Sequence, residues 1–125
     1  MLGGKNIIGF IPSRNKAKAR TFFEGVLGLT CKEEDAFAIV MDANGTDIRI
    51  VDVGEFTPFG FTILGWAVED IAETVSTMQS RGVEFETYDG MEHDDLGIWT
   101  APDGARVAWF KDVDGNVLSV SQDTD

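Results

Sequence analysis

The only histidine of the chain, His93, stands among carboxylates in the segment Glu92-His93-Asp94-Asp95. Imidazole and carboxylate groups bind divalent metals, and an imidazole also exchanges protons near neutral pH. Neighbouring residues of an extended chain point in opposite directions, so at most two of these side chains could share an ion without a tight loop. We interpret the segment as an exposed polar loop. Two alternatives stay open: His93 contacts a ligand or acts as acid or base beside a pocket, or the loop holds a surface ion.

The only cysteine, Cys31, excludes an intramolecular disulfide and a cysteine-based structural zinc site. We interpret it as a packed thiol, because the spacing shows no base beside it that would make it a nucleophile. This use of cysteine is typical of the reducing cytoplasm, where we expect the protein to act. No apolar run approaches the roughly 18 residues of a membrane span, and no secretory signal is predicted at the start.

The charge of the chain is strongly acidic and unevenly distributed. The 125 residues include 10 Lys and Arg against 22 Asp and Glu, for a net charge of −12, so we do not expect nucleic-acid binding. Residues 1–20 nevertheless contain five basic residues and no acidic one. Either one solvated helix is basic, or this basic segment docks on an acidic surface, within the chain or on a second copy.

The elements that would position these residues follow one order twice. In the first half, a strand at residues 5–12 and a helix at 15–27 precede short strands at 29–32, 36–41 and 46–53. In the second half, a strand at 61–68 and a helix begun by Asp70 and ended by Gly82 precede strands at 83–87, 106–111 and 117–122, with an extended stretch at 98–100. This order predicts two βαβββ modules, residues 1–56 and 57–125, in one compact domain.

The two halves also repeat in sequence. Residues 42–50 align with residues 112–120 at an offset of 70, sharing an Asp-any-Asn/Asp-Gly turn before an alternating strand, and the opening strands align at an offset of about 55. Two such modules joined edge to edge form a curved mixed sheet with helices on the convex face. The fold class is then α+β, and the uncovered concave face is a natural ligand pocket.

Two segments resemble signatures of the glyoxalase/bleomycin-resistance/dioxygenase superfamily, the vicinal oxygen chelate proteins. Residues 22–29 (Phe-Phe-Glu-Gly-Val-Leu-Gly-Leu) resemble its helix-end signature, and residues 110–118 resemble its closing strand, with Val113 where proline is usual. The resemblance extends from Ile7 to Gln122 and implies the same tandem βαβββ fold. It leaves function open, because the superfamily includes isomerases, dioxygenases, transferases that act on antibiotics, and non-catalytic drug-binding proteins.

The resemblance also implies where a metal would sit. Enzymes of the superfamily usually hold a divalent metal through His and Glu side chains on the first and last strands of each module. The matching positions here are Ile8, Arg49, Ile63 and Ser119, and none of these side chains is a competent metal ligand. We therefore expect no metal in the sheet and no other cofactor.

Strand alternation then predicts which side chains line the concave face. If Ile8 faces the pocket, Phe10 does so as well, and if Ile63 faces it, Trp66 faces the helix. The signature implies that Phe110 packs on the helix side, which places Trp109 on the concave face. The predicted ligand-binding residues are Phe10, Arg49, Ile63, Trp109, Ser119 and, from the loop, His93. An alternative stays open for each of two residues: Trp109 packs at a dimer interface, or Arg49 forms an ion pair with Asp47 or Asp52.

Two classes of function are compatible with these residues. The first is a metal-free module that binds or sequesters a small molecule in the sheet pocket. The second is an enzyme of lyase or dioxygenase type, either with relocated metal ligands or metal-free with His93 or Arg49 as the reactive group. The resemblance and the opposite charges of the basic residues 1–20 and the acidic remainder also predict a homodimer. We expect no membrane and no nucleic-acid partner.

Overall fold

The computed structural model describes residues 1–124, which divide into two compact units. Unit 1 comprises residues 1–57, and unit 2 begins at Pro58. Each unit contains one mixed β-sheet with helical structure packed on one face. The predicted α+β fold class is confirmed. Within residues 1–124, no helix has the length and apolar character needed to cross a membrane.

Unit 1 contains four strands: β1 (Ile8–Ser13), β2 (Thr30–Glu34), β3 (Ala38–Ala43) and β4 (Thr46–Asp52). They lie in the order β1-β4-β3-β2, with β1 parallel to β4 and the other neighbours antiparallel. Alternate residues of these strands are apolar and buried against the helical segment, including Ile11, Ile39, Met41, Ile48 and Ile50. The opposite sheet face carries the intervening residues, among them Phe10 and Arg49.

The helical segment of unit 1 is only partly an α-helix. Helix α1 (Lys16–Arg20) begins after Asn15, whose side chain accepts a hydrogen bond from the Lys18 backbone N–H at 3.1 Å. Residues Thr21–Val26 continue as a π-helix, and Gly28 ends the segment with a φ of +82°. The predicted helix at 15–27 is therefore present, but its second half is wound more widely than the apolar spacing indicates.

The basic residues of this segment bind acidic residues of their own unit. Arg20 forms ion pairs with Glu24 at 3.3 Å and Glu34 at 2.9 Å, and Lys16 lies 3.3 Å from Glu34. Hydrogen bonds from Arg20 and Lys16 hold the pKa of Glu34 below its ordinary value. Of the two explanations open for the basic segment, docking on an acidic surface within the chain is the one these contacts support.

Unit 2 contains five strands: β5 (Thr62–Ala67), β6 (Phe85–Glu86), β7 (Trp99–Thr100), β8 (Arg106–Lys111) and β9 (Val117–Gln122). Their order is β5-β9-β8-β6, with β5 parallel to β9, and β7 also pairs with β8. Strand β6 is shorter than the predicted strand at 83–87. Strand β7 lies within residues 98–100, which the sequence predicts as extended.

Helix α2 (Ile71–Ser80) covers one face of the unit 2 sheet. The Asp70 side chain accepts a hydrogen bond from the Glu73 backbone N–H at 3.1 Å and so satisfies a free donor at the helix start. The apolar stripe Ile71, Val75 and Met78 is buried. It packs on the face of β8 and β9 that carries Ala108, Phe110, Leu118 and Val120, all of them buried.

Candidate functional site

Four ring side chains gather on the face of the unit 2 sheet that α2 leaves uncovered. Trp109 lies at the centre, with its ring centroid 5.6 Å from Tyr88, 5.9 Å from Trp99 and 6.2 Å from His93. We call these four residues the aromatic cluster. Most of its pairs are edge-to-face or tilted, which is the arrangement that aromatic quadrupoles favour.

Strand alternation explains why Trp109 lies on the open face. Its neighbours on β8, Ala108 and Phe110, are fully buried on the helix face. Trp66 lies on that helix face too, opposite Val120 on β9 and stacked on Phe110 with a centroid distance of 6.4 Å. The two tryptophans therefore occupy opposite faces of one sheet, as the alternation predicts.

The loop that carries His93 is folded on itself. His93 Nε2 accepts a hydrogen bond from the Tyr88 backbone N–H at 3.1 Å, and His93 Nδ1 lies 2.8 Å from the Gly97 carbonyl oxygen. Asp94 Oδ1 accepts hydrogen bonds from the backbone N–H groups of Leu96 and Ile98, each at 2.9 Å. We call residues 88–97 the histidine loop. Its backbone is fixed by these side chains.

These bonds determine what His93 can do. Because Nε2 accepts, the proton of a neutral ring sits on Nδ1 and is donated to Gly97. Neither nitrogen is left for a metal or for proton exchange with a substrate, and the structure therefore favours neither of the alternatives that needed a free ring nitrogen. Across residues 1–124, no three His, Cys, Asp or Glu side chains form a group that could hold a metal ion.

A hydroxyl lies next to the central indole. Ser119 on β9 is the direct partner of Trp109 on one side and of Gly65 on the other. A Cβ atom added at Gly65 would lie only 2.6 Å from Ser119 Oγ, so the hydroxyl occupies the space that a larger residue would fill. Ser119 thus offers a hydroxyl at the strand position next to Trp109, and this hydroxyl is directed toward Gly65.

Two further polar groups border the cluster. Glu86 is the β6 partner of Trp109 and forms an ion pair with Lys111 at 3.5 Å. Burial is the main cause that raises the pKa of Tyr88 above its ordinary value, and the charge of Glu86 raises it further. The Tyr88 hydroxyl is therefore a neutral hydrogen-bond donor and acceptor at physiological pH.

Unit 1 contains the equivalent row of residues. Phe10 and Arg49 are direct partners, and Val40 lies on the far side of Arg49, at the positions that Gly65, Ser119 and Trp109 occupy in unit 2. The offsets of 55 and 70 between the halves of the sequence are therefore repeated in the strand register. Phe10 is 63% exposed and lies on the open face of its sheet.

The Nε atom of Arg49 is buried and has no hydrogen-bond partner within residues 1–124. Both acidic partners considered for it are engaged elsewhere. Asp47 pairs with Lys32 at 2.8 Å, and Asp52 accepts a hydrogen bond from the Gly54 N–H at 3.1 Å. The ion-pair alternative for Arg49 is therefore not what the structure shows, although its charge is one of the smaller causes that lower the pKa of Asp35.

The remaining predicted residue, Ile63, lies at an irregularity of β5. The pairing with β9 shifts between Thr62 and Leu64, so Ile63 has no direct partner and is half-buried. Sequence reasoning missed Tyr88 and Trp99 as members of the cluster. The available signal was their position, because these two aromatic residues border the polar loop on either side.

No protein-family model matches the chain, and no curated protein matches it either. Several solved structures do match the chain. A glyoxalase/bleomycin resistance protein/dioxygenase from Alicyclobacillus acidocaldarius is 16% identical, with a TM-score of 0.72 over 98% of this chain and 93% of that one. TnmS3, an antibiotic binding protein from Streptomyces sp. CB03234, is 23% identical, with a TM-score of 0.74 over 99% of both chains. An integron cassette protein from the mobile metagenome of V. cholerae is 20% identical, with a TM-score of 0.68 over 99% and 98%.

The chain therefore has the fold of the glyoxalase/bleomycin resistance/dioxygenase proteins, as its two sequence signatures indicate. Identities of this size establish the fold and leave the ligand to be argued from the residues of this chain.

Proposed function

We propose that this protein binds and sequesters a small planar molecule on the aromatic cluster, without catalysis. The observation that carries the proposal is the central Trp109, surrounded by three other rings within 6.2 Å on the sheet face opposite α2. Aromatic residues that combine a large apolar surface with a polar edge are typical of small-molecule sites. The antibiotic-binding neighbour of the same fold supports this class of function.

The polar residues suggest how such a molecule is oriented. The Trp109 ring stacks on the ligand, while Ser119 Oγ and the Tyr88 hydroxyl bind polar groups on its edge. His93 contributes through its ring and through the loop that it holds. A direct proton-transfer role is not proposed, because both of its nitrogens bond to the backbone.

We propose separately that Arg49 of unit 1, with Phe10 beside it, binds a polar group of a ligand, and that Ile63 at the start of β5 contributes to the site of unit 2. A partly buried guanidinium whose Nε atom has no acceptor is costly, so a carboxylate or carbonyl group of a ligand would stabilise it. The net charge of −12 favours a cationic group on the same molecule. A zwitterionic or polar aromatic ligand satisfies both requirements.

We also propose that the protein is a cytoplasmic homodimer. Large apolar side chains are widely exposed, including Phe37 at 75% and Phe59 at 64%, and association between two copies would remove such surface from water. The single cysteine suits a reducing compartment.

The test compares two tryptophan variants against a panel of cationic, zwitterionic and neutral planar aromatic compounds, by calorimetry and by tryptophan fluorescence. Trp109→Ala should weaken binding by roughly 1–3 kcal/mol, because it removes the stacking surface. Trp66→Ala is the matched control on the helix face. It should cost more stability and leave the affinity of the folded protein unchanged.

Two results would contradict the proposal. One is an unchanged affinity of every bound compound in Trp109→Ala. The other is chemical conversion of a bound compound by the purified protein, which would favour the enzyme of lyase or dioxygenase type instead.

A further inference from the structure

We propose that His93 is a positioning residue: its neutral imidazole fastens the histidine loop beside Trp109, and protonation of the ring releases the loop and weakens ligand binding. The inference rests on the proposed function, since it concerns the same aromatic cluster. It adds a control by pH that the function alone does not require.

The imidazole links the two ends of the histidine loop through hydrogen bonds. Nε2 is bonded to the backbone of Tyr88 at the start of the loop, and Nδ1 to the backbone of Gly97 at its end. The residue itself forms an isolated β-bridge with Trp99. The ring is 6.2 Å from Trp109 and 6.3 Å from Tyr88, centroid to centroid. One side chain therefore joins the backbone of the loop to the rings of the cluster.

Protonation affects the two bonds differently. An imidazolium carries N–H groups on both nitrogens, so the bond to the Gly97 carbonyl persists. The bond from the Tyr88 N–H is lost, because Nε2 no longer has a lone pair and two N–H groups would face each other. Tyr88 packs against Trp109 with centroids 5.6 Å apart, so its release changes the surface on which the ligand binds.

Other titratable groups surround the ring, and the experiment has to separate them. The histidine loop itself carries Asp89, Glu92, Asp94 and Asp95, strand β6 carries Glu86, and β8 carries Lys111. Carboxylates change charge mostly below pH 5, and lysine above pH 9. Histidine is the side chain type that ordinarily changes charge between about pH 5 and 8. Measurements from pH 5.5 to 8 therefore test the imidazole rather than these other groups.

Two variants of His93 isolate the two states. In His93→Gln, the amide oxygen can accept the hydrogen bond from the Tyr88 N–H and cannot be protonated in this range. In His93→Asn, the shorter amide can still donate to Gly97 but offers no acceptor near Tyr88. The first variant imitates the fastened loop at every pH, and the second imitates the released loop. Glu92→Gln controls for a neighbouring carboxylate.

The binding probe is proflavine, a planar cationic dye, titrated into the full-length protein at pH 8 and pH 5.5. We expect the affinity of the wild type to fall roughly tenfold at the lower pH, the upper range for one lost hydrogen bond. His93→Gln should bind equally at both pH values, His93→Asn weakly at both, and Glu92→Gln like the wild type. Equal pH dependence in the wild type and His93→Gln would overturn the inference.

A second measurement needs no ligand. In a Trp66→Phe background, fluorescence reports only Trp99 and Trp109, and nitrogen NMR of the imidazole reports its tautomer. We expect a pH-dependent fluorescence change that His93→Gln abolishes, with the proton of the neutral ring on Nδ1. If this transition occurs but no planar compound binds at any pH, the proposed function is wrong, whereas the role of His93 in holding the histidine loop is supported. If the dye binds but no transition occurs, the proposed role of His93 is wrong and the proposed binding function is not affected.

Discussion

At the scale of single residues, Asp112 in the turn before β9 is a buried carboxylate that accepts several hydrogen bonds. Its Oδ1 accepts hydrogen bonds from the backbone N–H groups of Asp114 and Asn116 at 2.9 and 3.0 Å, and its Oδ2 accepts one from the Asn116 side chain at 2.8 Å. Burial nevertheless raises the pKa of Asp112 above its ordinary value of 3.8, against the effect of these bonds.

This raised pKa predicts the sign of a pH effect on stability. Between the unfolded and folded pKa values the folded state holds more protons, so the contribution of Asp112 is greatest below about pH 4 and is lost as the pH rises through the folded pKa. The difference in unfolding free energy between wild type and Asp112→Asn, measured by urea titration, should therefore fall with rising pH.

Asp103→Asn is the matched control for this experiment. Asp103 is exposed, and its side chain makes a similar turn hydrogen bond, to the Ala105 N–H at 3.0 Å. A difference curve for Asp112→Asn that is flat, or that rises with pH, would show that burial does not dominate the ionisation of Asp112.

How well single residues could be predicted depended on the regularity of their strands. The opposite faces of Trp66 and Trp109 followed from alternation alone, because β5 from Leu64 onward and β8 both pair with β9 without interruption. Ile63 did not, because a shift in pairing removes its direct partner. The roles of Tyr88 and His93 depend on hydrogen bonds that close an irregular loop, and such bonds leave no periodic signal in the sequence.

At the scale of elements, the π-helical segment of unit 1 contains a glycine that its conformation does not require. Gly25 has a negative or extended φ, and a Cβ atom added there meets nothing within 4 Å. Gly28, three residues later, has a φ of +82° that side chains with a Cβ atom rarely adopt.

We therefore predict opposite effects for two alanine substitutions. Gly25→Ala should raise the unfolding free energy by about 0.4–1 kcal/mol, because it restricts the unfolded chain without a clash. Gly28→Ala should lower it by about 1–2 kcal/mol, because the left-handed conformation becomes strained. Urea titration measures both. A stabilising Gly28→Ala, or a strongly destabilising Gly25→Ala, would show that the end of this helix differs from the one described.

The order of elements was largely predictable, and their detailed winding was not. The helix caps and the repeated Asp-any-Asn/Asp-Gly turns determine where elements begin and end, and they are visible as short motifs. The change from α-helix to π-helix after Arg20 cannot be read from the sequence. The same apolar residues can pack against the sheet in either type of helix. The short β6 depends on its pairing with β8 rather than on its own residues.

At the scale of the whole molecule, we predict a homodimer whose mass by light scattering is about twice the 13.7 kDa of the chain. Moderate salt should leave this mass unchanged, because Lys16 and Arg20 already pair with acidic residues of their own unit. A mass of 13.7 kDa at micromolar concentration would refute the dimer. If salt dissociates the dimer, the prediction of a dimer holds, and the contact between copies must include opposite charges.

The same internal pairing has a kinetic consequence. Because Glu24 and Glu34 neutralise the principal basic residues of the helix locally, little positive charge interrupts the negative field of the molecule. A cation approaching from solution is drawn in along that field, and ions in the medium shorten its reach to about 8 Å at physiological strength. The rate at which a cationic ligand is captured should thus depend on salt far more steeply than the rate at which it leaves.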